Sequence, residues 1–339
     1  MSKRPKSSVA RFVVVGDVHF TKRPPASRSA SYPEEIADLF WQVGSLSDSH
    51  GADAVLLVGD LMHSKGNTTH HETASLIEIL SGPTPKFAIP GNHDMQGNSL
   101  ANAQQDQPYA VLASAGVVRD LSDTGVPFSD FDVLVVGVPF CSPASFGSWL
   151  ATSVANGVAK CKAKPSAIVV LTHQEITNDG SVGLNGCTLV NGLMQTHNCP
   201  VAILNGHLHI DPAAYLVTDR KLGLCGYFVS TGTLARTSIS DSDNAAAFLV
   251  DYDIAKPKST ALSVRVLPLK NLPRSEAFVE NGLSVSAPTA GLDDFVAALS
   301  SEAGGQGVDP LSFVRSIAAA RNAPKSVLAR AVQLVGEVR

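Results

Sequence analysis

The sequence contains little of what marks membrane, secreted or disordered proteins. It has 5 Cys in 339 residues and none of them forms a CxxC pair, which argues against a disulfide framework or a thiolate zinc site. No run approaches the roughly 18 consecutive apolar residues of a membrane helix. The first residues are basic, with no apolar segment behind them. We therefore expect a cytoplasmic protein with no membrane partner.

Short apolar runs alternate with longer segments of helical spacing. The apolar runs are 12–15, 55–58, 87–89, 133–136, 168–171 and 201–204, and the helical segments start at Tyr32 and cover 70–80, 143–161 and 188–196. Such alternation indicates buried strands in layers flanked by helices, so the predicted class is α/β.

The pattern changes after His209. Residues 214–217, 226–230, 246–252 and 262–267 are β-like runs with little helix between them, which predicts a second, more antiparallel sheet. From residue 292 onward the spacing is helical again, at 292–299, 310–320 and 324–338. We place one domain at 10–275 and a C-terminal helical extension at 276–339.

Polar side chains follow five of the apolar runs, at the point where each predicted strand ends. They are Asp17, His19, Asp60, Asn92, His93, His173, His207 and His209. Because ligands bind at the carboxyl ends of the strands in open α/β sheets, we expect these side chains to share one rim. Glycine precedes four of the motifs, as expected where the backbone turns sharply or is approached closely.

Carboxylate, imidazole and amide donors without thiolate suit borderline or hard divalent ions such as Mn, Fe or Zn. The donors are too many for one catalytic ion that keeps a position open for water, whereas two ions sharing a carboxylate fit the count. Two ions at one rim can polarise a phosphoryl group, activate water and orient the substrate. The rim therefore predicts hydrolysis of a phosphate ester.

The motif order GDxH, GD, GNHD, H and GHxH over residues 12–210 resembles the calcineurin-like metallophosphoesterase superfamily. The resemblance implies a layered β-sandwich flanked by helices, with a small C-terminal β-rich and helical extension. It implies one metal held by Asp17, His19, Asp60 and His209, and another held by Asp60, Asn92, His173 and His207. It also implies that His93 protonates the leaving oxygen or stabilises charge on the phosphoryl group, and that Asp94 orients His93.

Three further features resemble the SbcD-type DNA repair exonucleases of phages and bacteria. They are the His63 of GD-Leu-Met-His, the segment 21–32 that leads into a helix, and the stretch 230–238, which contains Arg236. The resemblance implies a DNA substrate, a manganese-dependent centre with Fe, Zn or Mg as other candidates, His63 near the active centre, and Arg236 near the substrate. It also implies that the C-terminal extension binds an SbcC-type coiled-coil ATPase. A structural helix pair or a homodimer contact is at least as good an interpretation of that segment.

Two other functions remain open. The first is a small-molecule phosphodiesterase or phosphatase acting on cyclic nucleotides or nucleotides, which the net charge of −4 favours because proteins that bind nucleic acid by bulk charge are normally basic. The second is a non-catalytic scaffold, which the complete motif set disfavours. The phosphoprotein phosphatases of the superfamily are a poorer match, because Phe20 and Leu61-Met62-His63 replace their glycine and Asp-Arg pair.

Overall fold

The computed structural model describes residues 8–25, 27–66, 68–122, 125–128 and 130–279. The strands are β1 (Val9–Val15), β2 (Ala54–Leu57), β3 (Lys86–Ala88), β4 (Arg119–Asp120), β5 (Gly125–Phe128), β6 (Val133–Val138), β7 (Ala167–His173), β8 (Ile176–Thr177), β9 (Leu184–Asn185), β10 (Val201–Gly206), β11 (Ala213–Asp219), β12 (Leu224–Ser230), β13 (Ala246–Asp253) and β14 (Leu262–Pro268). The α-helices are α1 (Tyr32–His50), α2 (His70–Leu80), α3 (Leu100–Gln105), α4 (Pro108–Ser114), α5 (Pro143–Lys160), α6 (Gly186–His197) and α7 (Arg274–Ala277). Two short 3-10 turns, Asn92–Asp94 and Gln96–Asn98, follow β3.

Two six-stranded sheets form the centre of the fold. Their strand orders are β14-β13-β1-β2-β3-β4 and β11-β12-β10-β7-β6-β5. Side chains alternate between the two faces of each strand, so Phe12 and Val14 of β1 enter the core between the sheets, while Val13 and Val15 enter the core under the helices. The predicted α/β fold of layered sheets flanked by helices is confirmed.

Helices cover the outer face of each sheet. Helices α1, α2 and α4 pack on the first sheet, through residues such as Leu39, Leu76 and Leu112. Helices α5 and α6 pack on the second sheet, where Phe146 and Met194 are buried. No helix in the described part of the chain is long and apolar enough to cross a membrane.

The strands after His209 do not form a sheet of their own, so that part of the prediction is wrong. Strand β12 pairs parallel with β10 and β11 pairs antiparallel with β12, which extends the second sheet. Strand β13 pairs antiparallel with β1, which extends the first sheet. The reason is burial: β12 and β13 are mostly apolar on both faces, and only an inner position in a layered sandwich covers both faces.

The C-terminal extension was predicted to be helical and to bind a partner. Its first residues, 276–279, include the end of α7, and residues 280–339 lie outside the described part of the chain. The domain boundary at 275–276 and the partner-binding role of the extension therefore stay predictions.

The start of α1 is fixed by a buried ion pair. Pro33 occupies the first turn, as expected for a helix start, and Glu35 in the same turn pairs with the Arg28 guanidinium. The Oε1 atom of Glu35 also accepts a hydrogen bond from the Leu272 N–H at 3.0 Å. Tyr32, the first residue of α1, donates a hydrogen bond from its hydroxyl to the His19 carbonyl at 2.9 Å. This bond connects the start of the helix to the motif that follows β1.

Replacing Glu35 with Ala leaves the buried Arg28 charge without its carboxylate. We expect the free energy of unfolding to fall by about 3–5 kcal/mol, the usual cost of removing one partner from a buried ion pair. Glu34→Ala, which removes an exposed carboxylate from the same helical turn, is the control and should change it by less than about 0.5 kcal/mol. Denaturant unfolding of both variants measures this. Equal effects would show that the pair does not stabilise the helix start.

Candidate metal centre

The predicted site residues come from both sheets, rather than from the edge of one. Residues 16–19, 59–60 and 91–93 follow β1, β2 and β3 of the first sheet. In the second sheet, His173 ends β7 and residues 207–209 follow β10. A hydrogen bond joins the two groups, because the backbone N–H of His207 donates to the Asp17 carboxylate at 2.9 Å. The strand ends of the sandwich therefore meet at one rim.

Two carboxylates and one imidazole lie at the bottom of this rim. Asp17 and His173 are 0% exposed and Asp60 is 2% exposed. The Nε2 atom of His173 lies 3.3 Å from Oδ2 of Asp60, and its Nδ1 atom lies 3.7 Å from Oδ1 of Asp17. Like charges this deeply buried need a compensating positive charge, which a proton or a metal ion can supply.

The other predicted ligands surround this group. Nε2 of His19 lies 2.9 Å from Nε2 of His209 and 3.5 Å from Oδ2 of Asp60. Nε2 of His209 lies 3.5 Å from Oδ2 of Asp17. All these side chains turn their ring nitrogens or carboxylate oxygens towards one another, and the three triads Asp17-His19-His209, His19-Asp60-His93 and Asp17-Asp60-His173 have the spacing of metal-ligand groups.

Asn92 connects the remaining histidines to the cluster. Its Oδ1 atom lies 3.1 Å from Nε2 of His173 and 3.0 Å from Nδ1 of His207. The structure therefore brings together all of the predicted ligand residues, Asp17, His19, Asp60, Asn92, His173, His207 and His209.

The cluster suits divalent cations on two grounds. Its donors are carboxylate oxygen, amide oxygen and imidazole nitrogen, which is the set that Mn, Fe and Zn accept. In addition, two glycines leave room for the carboxylates because they have no side chain. A Cβ on Gly91 would lie 2.1 Å from Oδ1 of Asp60, and one on Gly206 would lie 2.3 Å from Oδ1 of Asp17. The glycines of the motifs are thus a packing requirement of the ligand carboxylates.

In the absence of metal, protons hold the buried carboxylates together. Burial lowers the pKa of His173, but the carboxylates of Asp60 and Asp17 outweigh burial and raise it to about 9. Burial likewise lowers the pKa of His209, while hydrogen bonds with Asp17 and Asp241 raise it to about 10. Burial and the charge of His173 lower the pKa of His207 to about 4, so this imidazole is neutral and available as a ligand.

His93 lies at the exposed side of the cluster. Its backbone N–H donates to Oδ1 of Asp60 at 2.7 Å, and its ring packs 4.8 Å from the His19 ring, centroid to centroid. The Nδ1 atom of His93 bonds to the backbone carbonyl of His63 at 2.5 Å, and the two rings stack 5.9 Å apart. His63 thus lies next to the centre, as the resemblance implied.

Asp94 was expected to orient the His93 ring. In the structure, the His93 ring instead hydrogen-bonds to the His63 carbonyl. The Asp94 carboxylate accepts the N–H groups of Leu61, Met62 and Gly91 at 2.9–3.1 Å. Burial and the charge of Asp60 raise the pKa of Asp94 to about 7, against these three bonds. Asp94 therefore fixes the backbone that carries both Asp60 and His63.

Arg236 was predicted to contact substrate, and its contacts give this no support. Its guanidinium pairs with Asp243 and bonds to the Leu272 carbonyl, and the residue is 3% exposed. It also packs over the Phe278 ring, 5.4 Å from the centroid. These are the contacts of an ion-pair residue that fastens a loop.

Two residues that sequence reasoning missed hold the ligands in place. Asp241 places Oδ2 3.4 Å from Nδ1 of His209, the nitrogen that faces away from the cluster. Asn205 accepts bonds from the Thr172 hydroxyl at 2.7 Å and the Gln174 N–H at 3.1 Å, on either side of His173. Such contacts set the orientation and tautomer of ligand histidines. Asp241 follows no strand, so no sequence pattern marks it.

A layered sandwich whose strand ends gather carboxylate, amide and imidazole donors can hold divalent cations at that rim. Residues 10–211 match the model of the calcineurin-like phosphoesterases, so the chain belongs to that family and is a metal-dependent hydrolase of phosphoester bonds.

The solved structures that match this chain have low sequence identity to it. TT1561 of Thermus thermophilus is 15% identical, with a TM-score of 0.41, over 76% of this chain and 99% of its own. The 5'-nucleotidase precursor of Thermus thermophilus is 14% identical, with a TM-score of 0.43, over 78% of this chain and 54% of its own. The 5'-nucleotidase of Candida albicans is 12% identical, with a TM-score of 0.41, over 77% of this chain and 52% of its own. This chain spans about half the length of the two 5'-nucleotidases.

Gly206→Ala tests whether the backbone must approach the ligand carboxylates. The new Cβ would lie 2.3 Å from Oδ1 of Asp17 and 2.9 Å from Nδ1 of His173, so the ligands must shift and we expect Mn²⁺ affinity to fall at least about tenfold. Gly192→Ala is the matched control, because nothing lies within 4 Å of its Cβ and helix α6 gains about 0.5–1 kcal/mol from Ala. Calorimetric titration with Mn²⁺ measures both. Unchanged affinity in Gly206→Ala would contradict the close approach.

Metal binding should depend on pH in a defined direction. Because the pKa values of His173 and His209 are raised to about 9 and about 10, their protonated forms stabilise the metal-free fold fully below pH 6.5, and this contribution is lost as pH rises through those values. We expect the metal-free protein to lose thermal stability above about pH 6.5 and Mn²⁺ affinity to rise over the same range.

The Mn²⁺-loaded protein is the control for this prediction, since a metal replaces both protons. Its melting temperature should fall less with pH than that of the EDTA-treated protein. Parallel pH profiles for the two forms would show that the histidines carry no proton in the metal-free state.

Proposed function

We propose that the protein is a DNA nuclease of DNA repair or recombination that hydrolyses phosphodiesters with two divalent cations, of which manganese is the first candidate. One cation would be held by Asp17, His19, Asp60 and His209, and the other by Asp60, Asn92, His173 and His207. Asp60 lies between His19 and His173, at 3.5 and 3.3 Å, which supports its role as the shared ligand.

The observation that carries this proposal is the open rim. Asp17, Asp60 and His173 are buried, whereas Asn92, His93, His207 and His209 are each partly exposed on one side of the cluster. The reactive groups are therefore reached directly from the protein surface. A phosphate within a long strand can approach such a rim without either strand end entering a closed pocket.

Cations held in this cluster would polarise the phosphoryl group and activate water. The contribution of the chain itself is proton transfer by His93. The Nδ1–H of His93 donates to the His63 carbonyl, so only the imidazolium form carries a second proton, on Nε2. That Nε2 proton would pass to the leaving 3′-oxygen, and the ring would become neutral with Nδ1 still protonated. The stacked His63 ring limits the rotation of His93.

One observation favours the alternative, a small-molecule phosphodiesterase or nucleotidase. A groove of about 570 Å³ lies beside the cluster, lined by Asn98 and by residues 140–143, 174–175 and 183–184. Its volume lies within the range of roughly 300–1,000 Å³ that is typical of small-molecule sites. The net charge of −4 agrees with this alternative as well.

Digestion of end-labelled duplex and single-stranded DNA with Mn²⁺ tests the proposal, with cyclic nucleotides as parallel substrates. Asp60→Ala should abolish cleavage, because it removes the shared ligand. His93→Ala should lower turnover about 10²–10⁴-fold, the usual contribution of a general acid, and leave Mn²⁺ affinity within about twofold.

His70→Ala, which removes an exposed histidine at the start of α2, is the control and should leave cleavage unchanged. Hydrolysis of cyclic nucleotides without cleavage of DNA would replace the nuclease by the alternative. Unchanged turnover in His93→Ala would remove this histidine from the mechanism.

A further inference from the structure

The groove beside the metal cluster is lined by residues that have no role in the proposed hydrolysis. We call it the Phe140 groove, and it is lined by Asn98 and by residues 140–143, 174–175 and 183–184. The Phe140 ring is its link to the centre: the ring centroid lies 5.4 Å from that of His207 and 6.4 Å from that of His173. A ligand whose phosphate lies at the cluster can therefore extend into this groove.

The lining favours an uncharged, flat group over a phosphate. None of the described residues that line the groove is Lys, Arg or His, and Glu175, which is exposed, is the one acidic residue among them. A carboxylate repels a phosphate but accepts hydrogen bonds from amino groups. Phe140, Pro143 and Leu184 supply apolar surface, and Phe140 is partly exposed, so one part of its ring is available for stacking.

Residues that adjoin the candidate ligands in sequence hold the groove in shape. Gln174, which directly follows His173, donates from Nε2 to the Pro139 carbonyl at 3.0 Å and to the Cys141 sulfur at 3.4 Å. The Phe140 N–H donates to the Pro90 carbonyl at 3.2 Å, next to the turn that carries Asn92. Phe140 is thus fastened on both sides, and a rigid aromatic surface loses little entropy on binding.

We propose that the Phe140 groove binds the nucleobase of the nucleotide unit whose phosphate lies at the metal cluster, with the base stacked on Phe140 and its amino groups facing Glu175. This inference rests on the proposed hydrolysis of nucleotide phosphoesters, and it applies equally to a DNA strand and to a small nucleotide.

The test compares two probes that share a sugar phosphate and differ in the base. Binding of adenosine 5′-monophosphate to the Mn²⁺-loaded protein is measured by calorimetric titration, and binding of ribose 5-phosphate is measured in the same way. Because stacking of one base on an aromatic side chain contributes about 1–3 kcal/mol, we expect the adenine nucleotide, which also carries the amino group, to bind at least about fivefold more tightly.

Phe140→Ala should remove this preference for the base and leave the affinity for ribose 5-phosphate within about twofold, which also shows that the metal cluster is intact. Phe140→Trp should keep the preference. Trp41→Ala, which removes an aromatic residue that is 71% exposed on α1 and does not line the groove, is the matched control and should also keep it.

Equal affinity of the wild-type protein for the two probes would overturn the proposal, and so would an unchanged preference in Phe140→Ala. These outcomes are separate from the DNA digestion. A protein that prefers the base but cuts no DNA keeps the groove and loses the nuclease, whereas a protein that cuts DNA without a base preference keeps the nuclease and loses the groove.

Discussion

Two buried carboxylates that face one another are the constraint on which this structure depends. Asp17 and Asp60 are almost fully excluded from solvent, and both lie within 3.7 Å of the His173 ring. Such charges are stable only beside positive charge, so the cluster must contain either protonated imidazoles or divalent cations. The fold supplies the imidazoles from four separate segments, and the same side chains that hold protons in the metal-free protein are the donors that a cation needs.

The rest of the sandwich keeps these donors in place. The Val58 carbonyl accepts from Nδ1 of His173 at 2.8 Å, which points Nε2 into the cluster, and Asp241 does the same for His209. Asp94 secures the backbone around Asp60 through three N–H groups. These contacts lie outside the set of donors, but they decide which nitrogen faces the cluster, and in this way they determine whether the site can hold a metal.

The surroundings of the cluster narrow its function more than the cluster itself does. The donors alone are consistent with hydrolysis of many phosphate esters. The partly exposed His93 beside His63 is the proton donor in the proposed mechanism, and the Phe140 groove has an apolar surface next to His207. Both features fit the proposed substrates, in which the phosphate is attached to a larger group.

The sequence by itself determined the buried strands, the main helices and the candidate ligand residues that gather at the rim. A strand that is covered on both faces must be a continuous apolar run, and a polar residue directly after it must lie at the sheet edge, so both are visible in local sequence. Only the tertiary structure decided that β12 and β13 join different sheets. It also decided that the His63 carbonyl, and not Asp94, contacts the His93 ring. The pairing of Arg236 with Asp243 and the contact of Asp241 with His209 likewise became visible only in the structure. These features depend on contacts between segments far apart in the chain, which no local pattern specifies.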